Sequence, residues 1–329
     1  MDIWLDGTIR RDTEISVSPW SHTLHYGMGV FEGIRSYDGA HGPMVFRLGD
    51  HLKRLRSSAG LVGMDLVWDL PALATAVIET LRVNGLGDAY IRPLVYYGAG
   101  GMALDSRAHP VHLLIAAWRW DDYHEASHTA GLSTHIAGTR RWSATSTAVQ
   151  AKAVGNYLNA QLAFREAVSC GADEAILLDE QGYLAEGPAA NVFLVRNGRL
   201  YTPTTRNALE GITRDTVIVL ARRRGYTVIE TDLTREDLYR ADEAFFTGTA
   251  YEIRTIASVD GRRIGNREAR PVSGSLCDAY AALVRAQEGV VTVASAMVEH
   301  WLTPVYASRR PQVFAVAEAA QSLLARGRS

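Results

Sequence analysis

The chain has 329 residues, 47% hydrophobic and 21% charged, enough for one large domain or two smaller ones with buried cores. Its 34 basic and 36 acidic residues leave a net charge of −2, which excludes both a nucleic-acid footprint and an acidic solvating tail. No apolar run approaches the ~18 residues of a membrane span, and the start, Met1-Asp-Ile-Trp-Leu-Asp-Gly7, lacks the pattern of a secretory leader.

In chain order the sequence reads as mixed α/β. Residues 2–5 and 14–17 read as short strands, and 30–37 and 43–47 as a strand pair around Asp38-Gly39. A short helix follows at 50–59. Asp69 caps a longer helix, with Pro71 in its first turn and Gly85 at its close. Segments 89–97 and 111–118 have strand length and bracket a glycine-rich loop at 98–107. The polar stretch 119–132 reads as an interdomain loop. It divides a small α/β domain, 1–118, from a large one, 133–303, with an extension at 304–329. In the second half, 156–169 is helical, with Leu158, Leu162 and Ala163 on one face. Strands are expected at 175–179, 191–196 and 199–201, the last two joined by the hairpin dipeptide Asn197-Gly198. A helix at 213–224 ends at Gly225. Strands at 244–247 and 255–259 lead into the turn Asp260-Gly261, and 270–287 is helical.

The two cysteines, Cys170 and Cys277, form neither a metal-like spacing nor a disulfide framework, which suits a reducing, cytoplasmic interior. His22 and His25 have no further ligand at convincing spacing, so no metal site is assigned. Gly98-Ala-Gly-Gly101 lacks the full dinucleotide fingerprint.

The basic residues carry a sharper signal: only Lys53 and Lys152 are lysine, and the rest are arginine. A lysine kept in such a chain suggests chemistry that arginine cannot do, because only an amine deprotonates and condenses with a carbonyl. Lys53 lies on a basic helix face and reads as solvated. Lys152 lies among small apolar neighbours in Val149-Gln-Ala-Lys-Ala-Val-Gly-Asn-Tyr157, where burial favours the nucleophilic neutral amine. A pyridoxal phosphate site built on it needs a carboxylate for the pyridine nitrogen. Glu186, before a Gly-Pro turn, is the candidate; alone, it reads equally as a turn glutamate. The phosphate needs amides at a helix start and a cation. Gly211-Ile-Thr-Arg-Asp215 offers Ile212 and Thr213, Thr247-Gly-Thr-Ala250 offers a second small turn, and Arg54 offers charge. An ordinary helix cap and a surface ion pair are the alternatives.

Taken together these motifs resemble the fold-type IV pyridoxal-phosphate enzymes, and among them the branched-chain amino acid aminotransferases. The matching runs are Leu24-His-Tyr-Gly-Met-Gly-Val-Phe-Glu-Gly-Ile-Arg35, Phe46-Arg-Leu-Gly-Asp-His-Leu-Lys-Arg-Leu55, Tyr90-Ile-Arg-Pro-Leu94 and Ala151-Lys-Ala-Val-Gly-Asn-Tyr157. Glu186-Gly, Asn191-Val-Phe, Gly211-Ile-Thr-Arg-Asp215, Ala241-Asp-Glu-Ala-Phe and Thr247-Gly-Thr-Ala250 continue the series, over residues 2–302. The resemblance implies a two-domain α/β fold, like that of D-amino acid aminotransferase, with pyridoxal 5'-phosphate in the cleft between domains. It implies Lys152 as the Schiff-base lysine and proton shuttle, Glu186 at the pyridine nitrogen and Tyr157 at the ring hydroxyl. Arg54, Ile212, Thr213 and Thr249 would hold the phosphate. Phe31, Gly33, Arg35, Tyr90, Arg92, Trp120, Tyr123, Thr249 and Ala250 would line the substrate pocket, with Tyr26 arriving from a neighbouring subunit of a homodimer or higher homo-oligomer. Arg92 would take the side-chain carboxylate of glutamate. The implied partners are a small amino acid and a 2-oxo acid.

Some positions depart from the family pattern. Gly187-Pro-Ala-Ala190 lacks the usual glycine, which leaves the Ala189 amide facing the phosphate, and Ala144 and Ala148 replace prolines ahead of the lysine. Tyr251 stands where smaller residues are common and is expected to reshape the pocket. A D-amino acid or R-amine aminotransferase, an aminodeoxychorismate lyase, a specialised aminotransferase of secondary metabolism and a non-catalytic binding module stay open.

Overall fold

The computed structural model describes residues 1–120, 131–265, 271–287 and 299–306. Strands β1 (Asp2–Leu5) and β2 (Thr8–Arg11) form a hairpin through Asp6-Gly7, whose positive φ values of 49° and 97° suit the turn. The strand expected at 14–17 is not formed; Asp12–Glu14 is a 3-10 turn. The register explains it: Asp2 pairs with Arg11, so β1 offers no partner beyond that point.

A short helix α1 (His22–Tyr26) leads to β3 (Gly29–Phe31), which Glu32-Gly33 separates from β4 (Ile34–Gly39). Strand β5 (Gly42–Phe46) returns along β4, so the hairpin tip is Ala40-His41 rather than Asp38-Gly39. Helices α2 (Leu48–Leu61) and α3 (Leu70–Val83) follow, then the long pair β6 (Ala89–Tyr97) and β7 (Val111–Arg119). Helix α3 starts as its sequence dictates: the Asp69 carboxylate accepts from the Ala72 amide at 2.8 Å. Leu52 and Leu55 of α2 and Leu73, Val77 and Leu81 of α3 bury their side chains with Ile91, Leu113 and Ile115 of the sheet.

The second sheet starts with β8 (Leu132–Ile136), β9 (Glu174–Leu178), β10 (Leu184–Glu186), β11 (Asn191–Arg196) and β12 (Arg199–Thr202). It is completed by β13 (Val228–Glu230), β14 (Glu243–Gly248), β15 (Glu252–Val259) and β16 (Arg262–Arg263). Its path is β10-β9-β8-β15-β14-β11-β12-β13. The helices here are α4 (Tyr157–Ser169), α5 (Ile212–Arg223), α6 (Arg235–Tyr239) and α7 (Pro271–Val284). The last strand, β17 (Leu302–Pro304), crosses back to pair with β5, giving the first sheet the path β17-β5-β4-β6-β7-β1-β2, with β3 beside β6. The two sheets share a core in which Tyr37, Met44 and Phe46 of the first pack with Phe193 of the second and with Leu276 and Tyr280 of α7.

Two expectations need correction or placement. On α4 the inward face carries Asn159, Ala163 and Ala167, while Leu158 and Leu162 are exposed, at 60% and 49%. The small alanines let α4 sit close on Ala175 and Leu177 of β9. The stretch 121–130, with Tyr123, and most of the extension lie outside the described residues.

Arg47 joins the two halves. It stands before α2 at φ 51°, its residue buried, and its guanidinium donates to Asp50, Asp215, the Thr216 hydroxyl and the Ile212 carbonyl while lying 4.4 Å from the Trp301 ring centre. Arg47→Met removes these hydrogen bonds together. It is expected to destabilise the fold by about 2–3 kcal/mol, read as a lower urea midpoint at unchanged slope; a midpoint within error of wild type would contradict this role.

Candidate active site

The lysine segment is held against the first sheet by its backbone. The Phe31 amide donates to the Lys152 carbonyl at 3.0 Å, Val30 and Ala153 form an antiparallel bridge, and the Lys152 amide donates to Ser58 Oγ at 3.0 Å. Residues from the second sheet complete an open cleft of about 680 Å3 beside it. Arg54, Lys152, Tyr157, Glu186, Ile212, Thr213 and Thr249 all line this cleft. Lys152 Nζ lies 2.6 Å from the Tyr157 hydroxyl, and among the described residues no carboxylate pairs with it. The other lysine, Lys53, is 68% exposed and 4.0 Å from Asp50.

At one end the cleft is built for an anion. Gly211 caps α5, so the amides of Ile212 and Thr213 open the helix without intrahelical partners. A Cβ at Gly211 would run into Asn191 Oδ1, which ties this turn to glycine. Arg54 is aimed here by a buried carboxylate: its Nε and Nη2 donate to Glu32 at 2.6 and 2.9 Å, and its Nη1 donates to the Glu210 carbonyl at 2.8 Å. Glu32 occupies the break between β3 and β4 with no exposure, and also accepts from His51 Nδ1 at 2.7 Å. Burial works against its charge, but Arg54 and then His51 outweigh that and hold its pKa well below the ordinary carboxylate range. Burial also lowers the pKa of His51, against the pull of Glu32.

At the other end sits Glu186. Its Oε1 accepts from Arg141 Nε at 2.6 Å, and its Oε2 accepts from the Leu209 amide at 3.1 Å and Asn191 Nδ2 at 3.3 Å. A carboxylate has about four acceptor directions, so these three donors orient it and leave one for a protonated ring nitrogen. The hydroxyl oxygen of Thr247, buried without a partner in the cleft wall, marks a further polar group awaiting a ligand. The anion-binding helix start, the free amine and the oriented carboxylate together fit pyridoxal 5'-phosphate.

A second wall leads away from the lysine. Phe31 lies 5.1 Å from Nζ and 4.7 Å from the Arg92 guanidinium, and Arg92 Nη2 donates to the Tyr90 hydroxyl at 3.3 Å. Tyr90 stacks on Trp120 at 4.7 Å, and a Cβ at Gly33 would collide with the Tyr90 hydroxyl. Arg35 pairs with Glu252 at 2.7 Å.

Residues 29–259 match the family model described as amino-transferase class IV. The chain belongs to that family. Among curated relatives, the branched-chain-amino-acid aminotransferase of Pseudomonas aeruginosa is 43% identical over 283 residues, 86% of this chain and 92% of that protein. Among solved structures, the T.th. branched-chain amino acid aminotransferase with pyridoxamine 5'-phosphate superposes with a TM-score of 0.87 at 40% identity, covering 93% of this chain and 98% of that one. The same protein complexed with N-(5'-phosphopyridoxyl)-L-glutamate gives the same values.

Within this class IV aminotransferase not every expected residue reaches the cleft of its own chain. Tyr26 is 42% exposed, and its hydroxyl donates to the Met102 carbonyl at 2.9 Å on the glycine-rich loop. Tyr251 corrects an expectation: its ring packs on the second sheet's core, 6.4 Å from Phe246, and its hydroxyl donates to the buried Glu174. Its neighbours Thr247, Gly248 and Thr249 line the cleft. Ala189 does line it. The His22 and His109 rings pack at a 38° tilt with centres 4.0 Å apart and direct Nε2 atoms at the Gly101 carbonyl, at 2.8 and 2.9 Å, while His25 meets the Pro19 carbonyl at 2.8 Å. Among the described residues no three metal-ligating side chains gather. Sequence reasoning missed Glu32, His51, Arg141 and Asn191. An acidic residue between two apolar strands was the available signal for Glu32; His51 and Asn191 lay within matching runs but were given no role, and nothing local marked Arg141.

Glu32→Gln leaves the Arg54 cation without its counter-charge and should cost about 3 kcal/mol of stability at neutral pH. Because the folded-state pKa of Glu32 is depressed, its contribution is complete above the ordinary value of 4.5 and is lost as pH falls below it. Urea midpoints measured from pH 6 to pH 3 should therefore fall more steeply for wild type than for Glu32→Gln; parallel slopes would refute the assignment.

Proposed function

We propose that the protein is a branched-chain amino acid aminotransferase. It binds pyridoxal 5'-phosphate in the cleft and passes the amino group of an L-branched-chain or related hydrophobic amino acid to 2-oxoglutarate in a ping-pong cycle. The observation that carries this reading is the Lys152 amine, free of any carboxylate among the described residues and 2.6 Å from Tyr157, set between a helix-start anion site and the oriented Glu186. When bound, the cofactor supplies a reactive aldehyde and a ring that withdraws electrons from the bond to be broken. Arg54 and the amides of Ile212 and Thr213 anchor the phosphate, and Thr249 closes that end. Glu186 holds a proton on the ring nitrogen, with Arg141 and Asn191 keeping the carboxylate in place. Tyr157 donates to the ring hydroxyl. Lys152 Nζ moves the proton between the two carbons of the prototropic shift.

The wall of Phe31, Tyr90 and Trp120 suits an apolar side chain, and Arg92 at its edge suits the distal carboxylate of glutamate. Solved complexes of the T.th. relative with pyridoxamine 5'-phosphate and a phosphopyridoxyl-glutamate are consistent with that pairing. The protein would work as a homodimer. In favour stand Leu24 and Leu158, exposed at 64% and 60% on segments that meet where the Gly155 amide donates to the Gly27 carbonyl, and Tyr26 turned outward beside them. Its place would be the cytoplasm, in keeping with two free cysteines.

The purified protein should absorb near the visible edge, and L-leucine and L-glutamate should each bleach that band. Bleaching by D-alanine or an R-amine alone would leave the cofactor and move the substrate class. A protein that stays colourless with added pyridoxal phosphate would end the reading. Lys152→Ala should lower turnover by about 10⁴-fold, the scale of a lost acid–base group.

A further inference from the structure

Two guanidiniums stand on the wall that leads away from Lys152, and they are in different electrical states. Arg35 and Tyr90 are register partners on β4 and β6, so their side chains share a face of the sheet. The Arg35 guanidinium lies 4.5 Å from the Tyr37 ring centre and 5.8 Å from that of Trp120, the same Trp120 that stacks on Tyr90. Following contacts, the wall runs from Lys152 to Phe31, Arg92, Tyr90, Trp120 and Arg35, then across to Glu252. Glu252 is two residues beyond Ala250, so the circuit closes on the turn that carries Thr249 into the cleft.

Arg35 is committed. Its residue is 5% exposed, and Nη1 donates to Glu252 at 2.7 Å. Arg92 meets the Tyr90 hydroxyl and the faces of Phe31 and Tyr90, and among the described residues it has no carboxylate; the buried Nε of both arginines is without a partner, so the carboxylate is what separates them. Glu252 itself sits at φ 54°, a backbone conformation that favours glycine or asparagine over glutamate. A residue kept in that conformation, with its carboxylate on the one guanidinium, points to use of the charge rather than of the turn.

We propose that Glu252 is a specificity-determining residue: by neutralising Arg35 it leaves Arg92, among the described residues, as the one guanidinium on this wall without a carboxylate partner. This rests on the aminotransferase reading above and adds to it. A space that must accept a branched alkyl side chain and the acid of glutamate by turns needs one cation at its edge. With two, the buried positive charge would penalise the alkyl group; with none, the acid would lose its anchor. Paired with Glu252 and laid on Tyr37, Arg35 instead offers the alkyl group a flat, neutral surface.

The test uses the holoenzyme and two unreactive probes, 4-methylvalerate for the apolar substrate and glutarate for the acid, with dissociation constants from calorimetry. Glu252→Gln should shift the ratio of affinities toward glutarate by about 10-fold or more, the value of an added charge-assisted hydrogen bond. Removing both charges, in Glu252→Gln with Arg35→Gln, should bring the ratio back to within about threefold of wild type. Arg35→Gln alone, which exposes the Glu252 carboxylate, should shift it the other way and covers the case of a poorly folded Glu252 variant. Wild-type protein that binds both probes, with an unchanged ratio in these variants, would overturn the role of Glu252 alone. Wild-type protein that binds neither would overturn the branched-chain reading itself.

Discussion

The buried pair between Glu32 and Arg54 is the constraint on which the site rests. A phosphate needs a cation whose position is set before the ligand arrives, and a long arginine side chain is not fixed by its backbone. Here the guanidinium is gripped on two nitrogens by a carboxylate with no exposure, and on the third by the Glu210 carbonyl one residue before the α5 cap. The carboxylate lies in the break between β3 and β4, next to Phe31, whose amide holds the Lys152 carbonyl. Through adjacent residues of one strand break, the Arg54 guanidinium and the lysine are thus set at a fixed distance.

The same logic recurs across the cleft. Arg141 is spent on Glu186, Arg35 on Glu252 and Arg47 on Asp50 and Asp215. In each case a charge is tied by a neighbour and its function becomes geometric. Along the cleft and its second wall, among the described residues, the cations without a carboxylate partner are Lys152 and Arg92, the two placed to meet a ligand. Buried ion pairs contribute little net stability because desolvation offsets their attraction. Their value here is that they hold rigid what an enzyme must have rigid, and they leave uncompensated only what it must have reactive.

Much of this was legible in the sequence, where the signal is local. Asp69 and Pro71 announced α3, Asn197-Gly198 and Asp260-Gly261 marked turns that do take positive φ at all four residues, and the scarcity of lysine isolated Lys152. What failed was settled by partners far along the chain. The alternating stretch at 14–17 is no strand because β1 has run out, and Leu302–Pro304 is one because β5 is open beside it. Leu158, Leu162 and Ala163 read as one face, but the close approach of α4 to β9 takes in the small Ala163 and Ala167 and leaves the two leucines outside. Arg35 and Glu252, 217 residues apart, could not be read as a pair, so Arg35 read only as a residue of the pocket lining.

Tyr251 shows how a bulky departure is absorbed without loss of space. The residue follows the Thr249–Ala250 turn, and a ring directed inward would fill the region where an apolar side chain must lie. It is drawn the other way by Glu174, a buried carboxyl whose pKa is raised by desolvation and whose other oxygen accepts from the Ala175 amide at 2.8 Å. The hydroxyl gives the second oxygen of that carboxyl its donor, and the ring adds area to the core of the second sheet. Both gains are lost if the ring swings into the cleft. With the ring held there, the turn on the second sheet stays as open as its small residues allow, and the large rings beside the cleft are those of Phe31, Tyr90 and Trp120.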